Sequence, residues 1–317
     1  MIRFAVIGCG TIAQKCTIPA LMHSGQSMVS VCVDINPKKE EEISNKFELP
    51  FETSLDLALK KYKVDAVYIS TSNATHKNMI IKAAKSKLHI ICEKPGVISS
   101  IEANEVVGCC KSNGVALFEG FMYQFHTQHE IVRQMIANDA IGRPFHYQAW
   151  FGFPPLPEND FRYNKNSGGG AMLDAGPYTI HSARHFFNTE PIKVSAVIEN
   201  EGKEVDVRGS VMLDFGESRT AHLVFGFNNM YQNKYSIWGT KGVLTLSRAF
   251  AVPPDFSSTL ILEQQGKVQE FKMEPCDHFI EEIKYFVNNM FDGSFVSSWQ
   301  NEIINQAKVM DRIRGIL

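Results

Sequence analysis

The sequence lacks the features that mark several protein classes. Its seven cysteines are scattered and include no Cys-x-x-C pair, which argues against a disulfide framework or a cysteine zinc site and predicts reduced thiols. Neither sign of charge is in excess: 32 Lys and Arg stand against 34 Asp and Glu, a formal net charge of −2. Nucleic acid and anionic membrane surfaces are therefore not expected as partners. No apolar run approaches the length of a membrane span. The first strand is expected from residue 2, which leaves no room for a secretory signal, so the expected location is the cytoplasm. Repeats and low-complexity tracts are also missing. What remains is ordinary globular composition, 44% hydrophobic and 21% charged over 317 residues, enough for two domains and a sizeable core.

The most informative segment comes first. Ile2 to Ile7 is an apolar strand that runs directly into Gly8-Cys9-Gly10-Thr11-Ile12-Ala13 and then a helical stretch. In this G-x-G-x-x-A order, Gly8 makes the tight turn, Gly10 lets the backbone approach a pyrophosphate, and Ala13 lets helix and sheet pack closely. The helix start offers free N–H groups and its positive dipole end to phosphate. A second strand, Val29 to Val33, ends in Asp34, roughly 20 residues on, where a carboxylate suits the 2′-hydroxyl of an NAD ribose.

Residues 1 to about 122 alternate strand and helix. Asn36-Pro37 is expected to open a helix over Lys38 to Lys46. Ala66 to Ile69, His89 to Cys92 and Val115 to Phe118 read as further buried strands, and Ser99-x-x-Glu102 as a capping box. The expected fold is an α/β Rossmann-type parallel-sheet domain over 1–122, helices on both faces. After a bridging helix (about Gln128 to Asn138), period-two patterns take over: Phe145 to Phe153, Ile192 to Ile198, Val211 to Phe215 and Ala221 to Phe227. Further strands are expected at Tyr235–Trp238, Val243–Leu246, Thr259–Glu263 and Val268–Met273. They predict an α+β domain over 123–317 with a large antiparallel sheet, one face buried. The other face carries His146, Gln148, Trp150, Ser195, Val197, Met212, His222 and Val224. That neutral mixture predicts an interface and a homodimer or homotetramer. Phe279 to Met290 and Glu302 to Ile313 read as amphipathic helices.

Two constellations can carry chemistry. Glu93-Lys94-Pro95 sits just beyond the carboxyl end of a strand, the edge where ligands bind in open α/β sheets. Lys94 there could stabilise a developing alkoxide, or the tripeptide could be a solvated ion pair. The run Gly168-Gly169-Gly170 to His181 lets the backbone pass close to something, a ligand among the candidates. On a helix, Asp174, Tyr178 and His181 lie at i, i+4 and i+7 and share one face. The same residues also read as a capping Asp, a core Tyr and a surface His. His181 and His185 have a spacing that can suit a metal, but no third ligand of obvious type is near, and no metal is expected.

Together these residues resemble the glucose–fructose oxidoreductase / inositol dehydrogenase family, Gfo/Idh/MocA. The likeness runs through Gly8-x-Gly10-x-x-Ala13, Asn73-Ala74-Thr75-His76, Glu93-Lys94-Pro95, Phe121-Met122-Tyr123, Gly168-Gly169-Gly170-x-x-x-Asp174-x-Gly176-x-Tyr178 and Gly239-Thr240-Lys241-Gly242. It implies an NAD(P)-dependent dehydrogenase or reductase acting on a sugar-like alcohol or ketone. It implies Lys94, Tyr178 and Asp174 as catalytic residues. For the cofactor it implies Gly8, Gly10, Thr11, Ile12, Ala13, Asp34, Ile35, Lys38, Ser70, Thr71, Asn73, His76, Glu93 and Lys94, and for the substrate Tyr123, Arg162, Asp174 and His181. Tyr178, where inositol-dehydrogenase-like members have His, is similar to the branch holding glucose–fructose oxidoreductase, dihydrodiol dehydrogenases and sugar-nucleotide 3-ketoreductases. Phe153 to Pro157 followed by Asp160-Phe161-Arg162-Tyr163 most resembles the 3-ketoreductases. Asp34-Ile35-Asn36 departs from their NADP pattern and is NAD-like, with NADP the alternative. Gln124 stands where many members have Arg.

The resulting expectation is hydride transfer between nicotinamide and the ketone carbon of a sugar-like substrate, with a nucleotide-linked 3-ketosugar as the candidate. Tyr178 is the expected proton donor and Lys94 the nearby positive charge. The alternatives are a dehydrogenase of a free aldose or dihydrodiol, and a non-catalytic NAD(P) sensor.

Overall fold

Strand β1 (Ile2–Ile7) owes its place to an unbroken apolar run, with Phe4, Ala5 and Val6 fully buried, the pattern of a strand covered on both faces. In the computed structural model, which describes residues 1–317, β1 pairs in parallel with β2 (Ser27–Val33) on one side and β4 (Ala66–Ile69) on the other. With β3 (Phe51–Glu52), β5 (His89–Glu93) and β6 (Leu117–Gly120) the order is β3-β2-β1-β4-β5-β6. Strand order reverses between β1 and β4, and the loops after these two strands meet there: Ser70 N–H donates to Ile7 O, and Gly8 lies directly against the Ser70 carbonyl. Such a crevice at the carboxyl edge is where doubly wound sheets bind ligands. Ser99 caps its helix by accepting from Glu102 N–H, while Glu102 accepts from Ile98 N–H rather than closing the reciprocal bond on Ser99. The helix after Asn36-Pro37 begins one residue later than expected, spanning Lys39–Phe47.

The first unit does not end at residue 122. It comprises Met1–Met122 and Phe279–Ile304, and the second comprises Tyr123–His278 and Asn305–Leu317. The expected assignment of all of 123–317 to a second domain is corrected accordingly. The returning helix His278–Asn289 buries Phe279, Ile283, Phe286 and Met290. Phe286 packs on Phe4 at 6.3 Å and on Phe118 at 6.2 Å, and Trp299 meets Phe118 edge-on at 5.0 Å. Aromatic pairs of this geometry contribute beyond their buried area. The amphipathic stripe predicts that this face is buried, but not against which sheet.

The second unit holds eight strands: β7 (Pro144–Gly152), β8 (Lys193–Glu199), β9 (Arg208–Gly216), β10 (Arg219–Gly226), β11 (Gln232–Gly239), β12 (Gly242–Ser247), β13 (Thr259–Gln264) and β14 (Lys267–Lys272). Their order is β14-β13-β12-β11-β7-β10-β9-β8. The expected all-antiparallel sheet has one exception, since β7 and β10 pair in parallel. The chain between them runs through the helices Ala171–Asp174 and Gly176–Phe187 and the hairpin β8–β9, the long crossover that parallel pairing requires. Tyr147 and Ala149 of β7 and Ala221 and Leu223 of β10 face inward, on the two strands that pack against the helix Gly176–Phe187, and Val211 and Leu213 of β9 are buried beside them.

His126, His129 and His278 are among the buried histidines of this unit. The His129 ring bonds Tyr235 Oη and Ala249 O, both at 3.0 Å. The rings of His126 and His278 meet at 5.9 Å. Burial pushes His126 down to about 4 and His278 to about 3, with His129 well below its usual value. Folded, these rings are neutral; unfolded, they take up protons below about pH 6.5. Their contribution to stability is therefore complete above that pH and falls with acidification, by about 1.4 kcal/mol per pH unit for each ring, until the pH passes the ring's folded value. The thermal midpoint should drop steadily between pH 6.5 and 4.5. His126→Asn keeps a helix-capping acceptor without a titrating ring and should make that slope shallower. A midpoint that stays level across this window would count against the argument.

Candidate active site

Gly8 has φ +91°, and a Cβ there would stand 2.5 Å from Ser70 O, so the turn tolerates only glycine. Gly10 differs. A Cβ on it would meet no protein atom within 4 Å, so packing inside the chain does not demand glycine, whereas close approach of a pyrophosphate does. Ala13 is fully buried and opens a π-helical turn, Ala13–Thr17, a distortion that often accompanies functional sites. Asp34 Oδ2 accepts from Cys9 N–H at 2.8 Å and Oδ1 from Asn36 N–H at 2.9 Å. The carboxylate is thus oriented beside the glycine loop with acceptor capacity left for a ribose hydroxyl. Thr11 and Ile12 at the loop, and Ile35 and Lys38 beyond β2, are exposed, Ile35 at 91%. Ser70 and Thr71 follow β4 half-buried, and Asn73 begins the helix Asn73–Lys85. These residues fit an NAD(P) cofactor.

The turn that carries Lys94 is held on several sides. Its Lys94–Pro95 peptide is cis. Tyr68 Oη donates to Glu93 Oε1 at 2.8 Å, and Gly96 N–H donates to Glu119 Oε1 at 2.7 Å. His76, expected at the cofactor, is fully buried, with Nδ1 2.8 Å from Pro95 O and Nε2 3.1 Å from Thr71 O. Both nitrogens lie against backbone carbonyls, so His76 braces the lysine turn against the loop after β4. Tyr68 and Glu119 carried no sequence signal of their own, because their role depends on strands far apart in the chain.

In the second unit, Arg162 Nε donates to Asp174 Oδ2 at 2.8 Å, and its backbone N–H and guanidinium bond Asp160 at 3.0 and 3.2 Å. Asp174 is therefore an anchored carboxylate. The glycine run before it serves the chain itself. Gly169 passes the carbonyls of Arg162 and Asn164, and Gly170, at φ +115°, lies against Asp206 Oδ1. Asp206 accepts from Met172 N–H at 2.6 Å through its side chain and from Ala171 N–H at 2.9 Å through its backbone. It thereby holds the start of the helix Ala171–Asp174, a role the sequence did not advertise.

The residue between the two helices keeps helical angles, so Asp174, Tyr178 and His181 do share a face. Tyr178 is buried in an aromatic wall, 5.1 Å from Phe151, 6.0 Å from Phe250 and 6.1 Å from Tyr123. His181, expected as a substrate contact, is buried instead, its Nδ1 2.7 Å from Tyr123 Oη. Burial, with His185 and Arg184 nearby, pushes its pKa well below the usual value. Its ring also orients Tyr123. His185 stacks on it at 5.7 Å.

Comparison with known proteins agrees with this geometry. Residues 2–121 match the model of an oxidoreductase family with an NAD-binding Rossmann fold, and residues 129–245 match the GFO/IDH/MocA C-terminal domain. A dTDP-3,4-didehydro-2,6-dideoxy-alpha-D-glucose 3-reductase of Saccharopolyspora spinosa is 30% identical over 297 residues, covering 93% of this chain and 89% of the relative. A D-xylose 1-dehydrogenase (NADP(+)) of Haloferax volcanii is 27% identical over 313 residues, covering 98% of this chain and 95% of that one. KijD10, a 3-ketoreductase of Actinomadura kijaniata solved with NADP and TDP-benzene, superposes with a TM-score of 0.92 at 28% identity, covering 99% of this chain and 97% of that structure. The chain belongs to the Gfo/Idh/MocA family of NAD(P)-dependent oxidoreductases.

Proposed function

We propose that the protein reduces a ketone on a sugar ring borne by a nucleoside diphosphate, with Lys94 and Tyr178 acting on the same carbonyl oxygen. The observation that carries this reading is Tyr178: a phenol in an aromatic wall, one helical turn from a carboxylate fixed by Arg162. The names of the 3-ketoreductase relatives support the substrate class. With NAD(P)H held at the glycine loop and Asp34, the hydride would come from its reduced nicotinamide. Tyr178 gives its proton to the carbonyl oxygen as charge develops there, and the Lys94 ammonium stabilises that charge and favours proton loss from the phenol. Asp174, held by Arg162, accepts a hydrogen bond from a substrate hydroxyl, and Tyr123, oriented by His181, lines the substrate.

Asp34 makes NAD the preferred cofactor, because a 2′-phosphate would sit beside its carboxylate. The outer face of the larger sheet carries Val197, Met212 and Trp238, all more than half exposed, among neutral polar groups, and we propose it as the contact of a homodimer or homotetramer. The seven free thiols support a reducing compartment, the cytoplasm.

The following outcomes test these assignments. Tyr178→Phe should leave NADH affinity nearly unchanged and lower turnover on a nucleotide-linked ketosugar by about a hundredfold or more. Lys94→Ala should lower it at least as much, and the double variant should lose less than the sum in free energy. Retention of most turnover by Tyr178→Phe, with hydride transfer rate-limiting, would remove the tyrosine from its role. A substrate screen that found turnover only with free aldoses or dihydrodiols would move the assignment to those alcohols. Fluorescence titration should show tighter NADH than NADPH binding, reversed toward NADPH in Asp34→Ser; tighter NADPH binding by the wild type would overturn the cofactor reading. Light scattering at micromolar concentration should report a dimer or tetramer, and a monomer would refute the interface.

A further inference from the structure

The interior of the nucleotide-binding unit holds an acid that the proposed reaction does not use. Glu282, on the returning helix His278–Asn289, is fully buried, and neither of its carboxyl oxygens has a hydrogen-bond partner. Its carboxyl lies beside Glu93 and against the Tyr68 hydroxyl. A Cβ placed on Gly120 would stand 3.6 Å from Glu282 Oε1 and 3.6 Å from Glu93 Cα, which puts the acid directly behind the strand end that leads into Lys94. Thr17 Oγ1, from the π-helical turn after the glycine loop, also lies beside Tyr68, buried and unpartnered. Four segments of the unit therefore meet at one phenol: the first helix, β4, the end of β5 and the returning helix.

The titratable groups facing Glu282 are Glu93 from β5 and Tyr68 from β4. Two adjacent carboxylates in such a place cannot both ionise cheaply. Burial and the nearby Glu93 charge raise the Glu282 pKa well above the carboxylate range, so the proton resides on Glu282 and the charge on Glu93. A protonated carboxyl is a donor. Tyr68 already donates its hydroxyl proton to Glu93 at 2.8 Å, and its oxygen has lone pairs to accept.

We propose that Glu282 is a positioning residue for Lys94: a neutral acid that donates to Tyr68 Oη, which donates to Glu93 and so fixes the carboxylate adjoining the lysine. Hydrogen bonds in series polarise one another and strengthen in a dry interior. Of the adjacent pair Glu93 and Glu282, only Glu93 then carries charge. The inference rests on Lys94 being the charged group at the carbonyl oxygen.

Glu282→Gln tests it, because an uncharged amide both donates and accepts, as the acid does. Its turnover and its pH–rate profile should stay within about twofold of wild type. Glu282→Leu keeps the bulk and removes the donor. It should lower kcat about tenfold, the upper worth of one hydrogen bond between neutral groups, with little change in nucleotide KM. The same variant should move the pH–rate profile to lower pH, because a loosened Glu93 holds nearby protons less well. Tyr68→Phe should reproduce this loss in an otherwise intact fold, and adding Glu282→Leu to it should cost no more. In the infrared at neutral pH, wild type should show a protonated-carboxyl band that Glu282→Gln lacks. Absence of that band, a Gln variant as impaired as the Leu variant, or Tyr68→Phe with wild-type kcat and profile would each overturn the proposal. Should Lys94→Ala itself retain turnover, the catalytic reading falls, while the infrared band still reports the state of Glu282 independently.

Discussion

A carboxylate accepting from a backbone amide is the interaction on which the functional loops depend. Asp34 takes Cys9 N–H, Glu119 takes Gly96 N–H, Asp206 takes Met172 N–H and Asp160 takes Arg162 N–H, at 2.8, 2.7, 2.6 and 3.0 Å. Each bond is charge-assisted, stronger than a neutral pair. Each also holds a segment that no strand ladder reaches: the glycine loop, the lysine turn, the start of the helix bearing Asp174, and the loop bearing Arg162. Site residues must be held to a fraction of an ångström to act together. Here the holding groups come from elsewhere in the sequence in three of the four cases.

The returning helix joins packing and chemistry on one face. Phe286 closes the aromatic cluster with Phe4 and Phe118, and Glu282, four residues earlier, reaches the pair formed by Tyr68 and Glu93. Positions i and i+4 lie over one another on a helix, so the seating of the aromatic ring also fixes where the acid is delivered.

What could be read from the sequence was what is encoded locally. The glycine loop, Asp34 at the end of its strand and the face shared by Asp174, Tyr178 and His181 depend on spacings within one or two elements, and they occur as expected. The return of Phe279–Ile304 to the first unit was not legible, because an apolar stripe specifies a buried face and not its cover. Parallel pairing of β7 with β10 was missed for a similar reason: alternation defines a strand, not its neighbour. The partners Pro95 O of His76 and Tyr123 Oη of His181 were not legible, because they lie on other elements of the chain. The glycine run promised a close approach to something, a ligand among the candidates, and Gly169 and Gly170 lie close to Asp206 and to the carbonyls of Arg162 and Asn164.

The interrupted first unit has a consequence for synthesis on the ribosome. Domains commonly fold in order of emergence, amino-terminal first. Here Phe4 and Phe118 emerge early, but their cover, Phe286 and Trp299, is translated after nearly all of the second unit. The nascent nucleotide-binding half must wait with its aromatic face open to water and to chaperones until Phe279–Ile304 emerges. A chain stalled before residue 279 would have all of its strands and its dinucleotide fingerprint, yet both units would be unfinished, the first lacking Phe279–Ile304 and the second Asn305–Leu317.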